Sequence, residues 1–345
     1  MLLLAGTKNP LLTPLGTIQF KRERRMSRKA LVVGIDDYAD CPLDSCVNDA
    51  CRIADLLKTH ANGEKNFDVL LKTNVFSKDE LLEDIQRLFS GENEIALFYF
   101  SGHGYKSDIR GEYISTPDGT DMSPGVKLSE LSEIIGNSKC HNKIVILDSC
   151  FSGGAGNMPL LANDKAALDS GVTFLSASDK NESALEGVFT DLLVNALKGE
   201  AADLLGNVSP GSIYAYVDKA LSAWDQRPIF KTNVREFVCL RKVPPPVPCT
   251  ELKRLKEFFS RPEDEFPLNP SFEFTNSPNE SHELVEPLAN SENVKKLKFL
   301  QRMVSVGLVE PVGEEHMYFA AMHSKGCRLT ALGKYYLRLA KKDRI

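Results

Sequence analysis

The chain has 345 residues, 42% of them hydrophobic and 26% charged, with a formal net charge of -5. That length holds one large domain and a smaller one, and so mild a charge excludes a general attraction to nucleic acid or anionic membrane. No apolar run reaches the roughly 18 residues that span a bilayer, and the eight cysteines include no CxxC pair, so reduced thiols in a cytoplasmic protein without membrane contact are expected.

Residues 1–27 read as a disordered extension. Their short apolar run, Leu2 to Leu4, precedes the basic cluster Lys21, Arg22, Arg24 and Arg25, the reverse of a secretory signal, and Met26 is an alternative start. Ala30 to Ile35 is a buried-strand run, and Val47, Ala50, Cys51, Ala54 and Leu57 mark one face of a helix beginning near Asn48. Phe67 to Leu71 gives a second strand. Ser77 with Glu80 forms a capping box that opens a helix with Leu81, Ile85 and Leu88 facing the core. Ile95 to Phe100 is a strand, followed by a glycine-rich polar stretch, a helix from Leu128 to Ile135 and a strand from Ile144 to Leu147. Ser152 to Gly156 reads as a flexible loop and Leu160 to Ser170 as a polar connection. Gly171 to Ser176 is a strand, Val188 to Leu197 and Ile213 to Ala223 are helices, and Pro228 to Phe230 and Phe237 to Leu240 are short edge strands. Strands alternating with helices predict an α/β domain over 28–243, a parallel sheet with helices on both faces.

Four prolines between Val243 and Pro248 can continue neither a helix nor a central strand, so residues 244–250 read as a stiff linker. Beyond it, 251–345 reads as a small α+β domain. Loops are expected over 262–290, then a helix from Val294 to Val304, a hairpin from Gly307 to Met322, and a helix with Leu329, Leu332, Tyr336 and Leu339 on one face. This order, with its LTALGKYYLRL run, resembles half of a winged-helix domain. His323 and Cys327 are spaced as a metal-binding pair on a helix, but no second pair at ligand spacing accompanies them, so no metal is expected.

Two segments carry chemistry. IALFYFSGHGY and KIVILDSCFSGG are apolar strands that stop at His103 and Cys150. In an open parallel sheet, ligands bind at the carboxyl ends of the strands, so neighbouring strands would join both in one site. Alternation puts Ser101 on the side of His103 and Asp148 on the side of Cys150. A thiol with an ordinary pKa of about 8.5 is mostly protonated at neutral pH and needs a base, for which His103 is the candidate. Each residue also has a bland reading: a satisfied structural histidine, an inert thiol, a carboxylate capping the strand-end turn at Asp148.

SGHG followed by DSCFSGG resembles the caspase-like cysteine peptidases, specifically their metacaspase and orthocaspase branch. A third segment, LDSCVNDACRIADLL, is similar to the one in which metacaspases place a further binding-pocket Asp, here Asp49. The resemblance covers about Lys29 to Val243. It implies a caspase-like fold and oxyanion donors at the amides of Gly104 and Cys150. It also implies a pocket of Asp49, Ser101 and Asp148 that receives the Arg or Lys before the scissile bond of a protein or peptide substrate. The charge argument agrees, since a carboxylate beside the nucleophile opposes thiolate formation unless a cation sits between them. For Asp49, in the first turn of its helix, interaction with the helix dipole is the plain alternative.

Many eukaryotic metacaspases carry paired aspartates where this chain has Ser129 with Glu130, and Asn157. Asp118 and Asp121 alone supply few of the six to eight oxygens that Ca²⁺ takes, so no cofactor is expected and calcium dependence is disfavoured. Lys165 is the basic residue of the loop after the nucleophile and the candidate for self-cleavage. With little chain ahead of the first strand to act as a restraint, the C-terminal domain is the expected regulator, sensing a partner protein or small signalling ligand, as the resemblance to bacterial caspase-like proteins of stress and antiphage defence implies. Lys295, Lys296, Lys298 and Arg302 cluster on a helix, which leaves the alternative of a non-catalytic caspase-fold sensor that binds nucleic acid through the tail.

Overall fold

The computed structural model describes residues 27–107, 109–149, 151–152, 170–177, 188–221, 228–278 and 283–345. Residues 1–26 of the N-terminal extension, Cys150, Lys165 and residues 153–169 of the connection expected from Ser152 to Ser170 lie outside the described residues. The chain runs through β1 (Arg28–Gly34), α1 (Cys46–Lys58), β2 (Asp68–Thr73), α2 (Lys78–Phe89), β3 (Ile95–Ser101), β4 (Gly104–Ser107), β5 (Gly111–Thr120), β6 (Ser123–Lys127), α3 (Leu128–Gly136) and β7 (Asn142–Asp148). It continues through β8 (Phe151–Ser152), β9 (Val172–Ser176), α4 (Val188–Asn195), β10 (Asn207–Val208), α5 (Pro210–Leu221), β11 (Ile229–Asn233) and β12 (Arg241–Lys242).

The main sheet has the order β11-β9-β7-β3-β1-β2. All its neighbours are parallel except β11, which runs antiparallel to β9 at one edge. Strand β3 lies at its centre with every residue buried. Its alternation divides the core in two. Leu97 and Tyr99 join Ile53 and Leu57 of α1, Phe189 and Leu193 of α4, and Ile213 and Val217 of α5. Phe98 and Phe100 join Leu81 and Ile85 of α2 and Leu131 and Ile135 of α3 on the other face. A sheet buried on both faces reads as continuous apolar runs rather than alternating ones, and each such side chain withdrawn from water contributes about 1.5–3 kcal/mol. The Ser77 hydroxyl accepts from the Glu80 amide to start α2, as its capping residues predict.

The glycine-rich stretch after His103, to which the sequence reading assigned no element, is largely strand. It forms β4, β5 and β6, which with β8 make a second sheet of order β6-β5-β4-β8. Gly125 is required there, because a Cβ would sit 2.0 Å from the Ile114 carbonyl oxygen. Phe237 to Leu240 forms no strand. The pairing made nearby is Arg241 and Lys242 with Asn207 and Val208.

The proline-rich connector is anchored at both ends. Val243 packs into the first core and Val247 into a third, which holds the C-terminal residues. The C-terminal part comprises α6 (Cys249–Leu252), α7 (Leu255–Phe258), β13 (Glu265–Pro267), a 3-10 turn (Pro270–Phe272), α8 (Ser291–Ser305), β14 (Val309–Val312), α9 (Met317–Met322), β15 (Gly326–Leu329) and α10 (Ala331–Lys341). Its sheet has the order β13-β15-β14.

Three sequence expectations change here. Gly307 to Met322 is not a hairpin, because β14 pairs with β15 and the short helix α9 lies between them. Leu329 ends a strand, and the buried face of α10 is Gly333, Tyr336, Leu337 and Ala340, with Leu332 exposed. Cys327 is a buried strand residue whose thiol burial pushes up to about 12, while His323 bonds Glu314 at 2.8 Å, so the two do not form a helical pair. Asn276, fully buried, ties the loop of 262–290 together by donating to the carbonyls of Pro270, Val285 and Pro287 and accepting from the Val285 amide.

Candidate active site

Strands β3 and β7 are neighbours, and their register sets Ser101 opposite Asp148 at the carboxyl edge of the sheet. The two chains stay together beyond it. The Gly102 amide donates to the Asp148 carbonyl at 3.3 Å, and Gly104 then faces Phe151 across the β4–β8 pairing. The backbone is thus described on both sides of Cys150, at Ser149 and Phe151, and both runs border His103.

His103, half-buried, follows β3 after Gly102. Its amide donates to the Tyr38 hydroxyl at 3.1 Å and its carbonyl accepts from the Ser115 amide at 2.9 Å. The Tyr38 hydroxyl donates in turn to the Ser115 carbonyl at 3.3 Å, and its ring lies 4.6 Å from the imidazole. Imidazole Nε2 is 2.7 Å from the Cys41 carbonyl oxygen. A carbonyl only accepts, so Nε2 carries the hydrogen and Nδ1 is the basic nitrogen of the neutral ring.

Tyr38 and Cys41 lie on a loop that Asp36 organises. The Asp36 carbonyl accepts from Tyr38 and Leu43, and its carboxylate accepts from the Cys46 and Val47 amides at 2.8 and 3.2 Å, capping α1 from a distance. Gly34 lets α1 approach, since a Cβ there would stand 2.3 Å from the Cys46 carbonyl oxygen.

That approach brings Asp49, in the first turn of α1, toward the same sheet edge. Asp49 and Ser101 are both buried, and the Ser101 hydroxyl neighbours the Cys46 thiol and the Tyr99 hydroxyl. The Tyr99 hydroxyl is 2.6 Å from Thr190, which donates to Asp148 Oδ2 at 2.5 Å. Burial first, and the charge of Asp49 second, push the Asp148 carboxyl up to about 6 against the Thr190 bond. Burial likewise raises Asp49, partly offset by Arg52. The Cys46 thiol is driven up to about 12, mainly by burial, which keeps it protonated and makes it a wall rather than a nucleophile.

Asp49, Ser101 and Asp148 therefore lie close together at the sheet edge, with Gly104 opening β4 nearby, while Cys150 and Lys165 lie outside the described residues. The sequence reading missed Cys46 and Arg52, although their positions three residues either side of Asp49 put them on its helix face. It also missed Tyr38, Thr190 and the Cys41 carbonyl, none of which any motif marks. Among the described residues no three His, Cys, Asp or Glu side chains form a metal-binding group, and no helix is long and apolar enough to cross a membrane. Asp118 bonds the Lys78 amide and the Thr116 hydroxyl, and Glu130 bonds Lys78 and the Lys127 amide, so two of the three carboxylates weighed for calcium have protein partners.

The family model described as the caspase domain matches residues 27–239. Metacaspase-1 of Schizosaccharomyces pombe is 24% identical over 205 residues, an alignment that covers 53% of this chain and 44% of that protein. The chain thus spans less than half the length of this curated relative. The crystal structure of caspase-1 from Spodoptera frugiperda superposes with a TM-score of 0.47 at 11% identity, covering 63% of this chain and 91% of that one.

Proposed function

Because the chain belongs to the caspase-domain family, we propose that it is a cysteine endopeptidase that cuts peptide chains after Arg or Lys. The observation that carries this reading is the pairing of Ser101 with Asp148 at the ends of adjacent strands, with His103 two residues beyond one of them. Cys150 stands two residues beyond the other in sequence. In this reading His103 Nδ1 takes the Cys150 proton, and the thiolate attacks the scissile carbonyl. Amides of Gly104 and Cys150 hold the oxyanion, and His103 returns the proton to the leaving amine. Water then hydrolyses the thioester. Asp148, Asp49 and Ser101 receive the substrate's basic side chain, whose charge offsets the cost of a carboxylate beside the thiolate. Hydrolysis of a fluorogenic Arg peptide by wild type and not by Cys150→Ala tests it.

The C-terminal part is the regulator in this proposal. Helices, β13, a 3-10 turn, α8, β14, β15 and α10, with β15 between the other strands, follow the order of a winged-helix unit whose wing carries α9. A partner protein or small signalling ligand bound there switches the enzyme during a stress or defence response, with self-cleavage after Lys165 as a second control. The non-catalytic alternative draws on one feature, the exposed Lys295, Lys296 and Lys298 on α8. Arg302 of that helix is already bonded to Glu251 at 2.8 Å, which weakens the alternative.

A further inference from the structure

Arg52 is a half-exposed cation beside the acidic cluster of Asp49 and Asp148. Its Nη1 lies 3.1 Å from Asp49 and its Nη2 lies 2.7 Å from Asp191, so one guanidinium spans α1 and α4 with a buried carboxylate on one side and an exposed one on the other. The helix position next to Asp191 is Thr190, which holds Asp148. Two adjacent residues of α4 therefore tie the two acidic residues of the pocket, Asp148 through a hydroxyl and Asp49 through Arg52. A fork of planar N–H donors suits two carboxylates in a way that a single ammonium does not.

Resting on the Arg or Lys specificity proposed above, we propose that Arg52 is a specificity-determining residue that competes with the substrate's basic group for Asp49. While Arg52 holds Asp49, Asp148, which accepts only the Thr190 hydroxyl among the described partners, is the carboxylate left to an incoming guanidinium. Binding a basic side chain then requires Arg52 to share Asp49 or to turn toward Asp191. Arg52 has the freedom to do so, since its side chain is 35% exposed and Asp191 is 62% exposed. The competition lowers affinity for every basic substrate and leaves the refusal of acidic ones to Asp148 and Asp49.

The test uses the full chain with Arg52→Gln, and Arg52→Lys as a conservative partner that keeps the charge but cannot span both carboxylates. Losing a half-exposed ion pair of this kind corresponds to roughly two- to fivefold in affinity. The expected result is that Arg52→Gln lowers KM for an Arg peptide by about that factor, with Arg52→Lys in between and an Asp peptide still refused. Agmatine binding by calorimetry, in a Cys150→Ala background, should tighten in the same order without relying on turnover. An unchanged or raised KM, with agmatine bound equally by wild type and both variants, would overturn the competition alone and leave the specificity standing. If neither protein binds agmatine and wild type does not cut after Arg, the specificity and this inference fall together.

Discussion

The Nε2 atom of His103 lies 2.7 Å from the carbonyl oxygen of Cys41, a contact that leaves Nδ1 as the unprotonated nitrogen of the neutral ring. The ring keeps that orientation because Tyr38 braces it, and Gly102 leaves room for Tyr38. A Cβ at Gly102 would sit 2.6 Å from the Tyr38 hydroxyl and 2.7 Å from the Phe100 ring. Gly102→Ala should therefore cost about 1–3 kcal/mol of stability and most of the activity. Tyr38→Phe, which removes two hydrogen bonds but keeps the ring, should cost about 1 kcal/mol and lower kcat more than it raises KM. Denaturant melts and steady-state kinetics on the pair check this, and a Gly102→Ala enzyme of wild-type turnover would refute the bracing.

Asp148 should lower stability at neutral pH. Its folded carboxyl is raised from 3.8 to about 6, so the native state holds the proton more tightly than the unfolded chain. Stability from this source is fully present below the unfolded value and is lost as pH rises through about 6. Asp148→Asn, which still accepts the Thr190 bond, should match wild type near pH 4 and exceed it by about 1–3 kcal/mol at pH 7.5. Chemical melts at the two pH values measure it. A variant less stable at pH 7.5 would show that the carboxylate is not under strain.

The same raised carboxyl predicts a pH-dependent affinity. Below about 6 the free enzyme carries a protonated Asp148 and offers less charge to a basic side chain. KM for an Arg peptide should rise as pH falls through that value, whatever happens to kcat, and Asp148→Asn should abolish the dependence. A KM flat from pH 5 to 8 would count against Asp148 as the binding carboxylate.

Much of this was legible in the sequence where one residue type has one physical use. The apolar runs of β3 and β7 stop at SGHG and DSC, and the Ser77 cap sits where its hydroxyl predicts. What escaped were features without a local signature. The Cys41 carbonyl is a backbone group that any residue could supply. Thr190 reaches Asp148 only because topology lays α4 over the face that α1 shares. The strands β4, β5 and β6 carry no clear period because glycine, proline and charge interrupt their apolar positions. The short helix α9 hides between strands too short to set a period.

Deleting residues 249–345 should change turnover markedly, freeing or silencing the enzyme, because Leu204 and Leu205 of the caspase domain pack against the C-terminal core. Mass spectrometry of the active full chain should show cleavage after Lys165. A folded truncated protein with the turnover of the full chain, in buffer and in cell extract, would remove the tail as regulator.

The most direct measurement compares matched fluorogenic peptides with Arg, Lys or Asp before the scissile bond, using wild type, Cys150→Ala and His103→Ala. The account predicts cleavage after Arg and Lys by wild type only, with Asp refused, and loss of about a thousandfold or more in both folded variants. Like charges brought together at a desolvated site cost several kcal/mol, so the refusal should be strong. Efficient cleavage after Asp, or near-normal turnover by a folded His103→Ala protein, would contradict it.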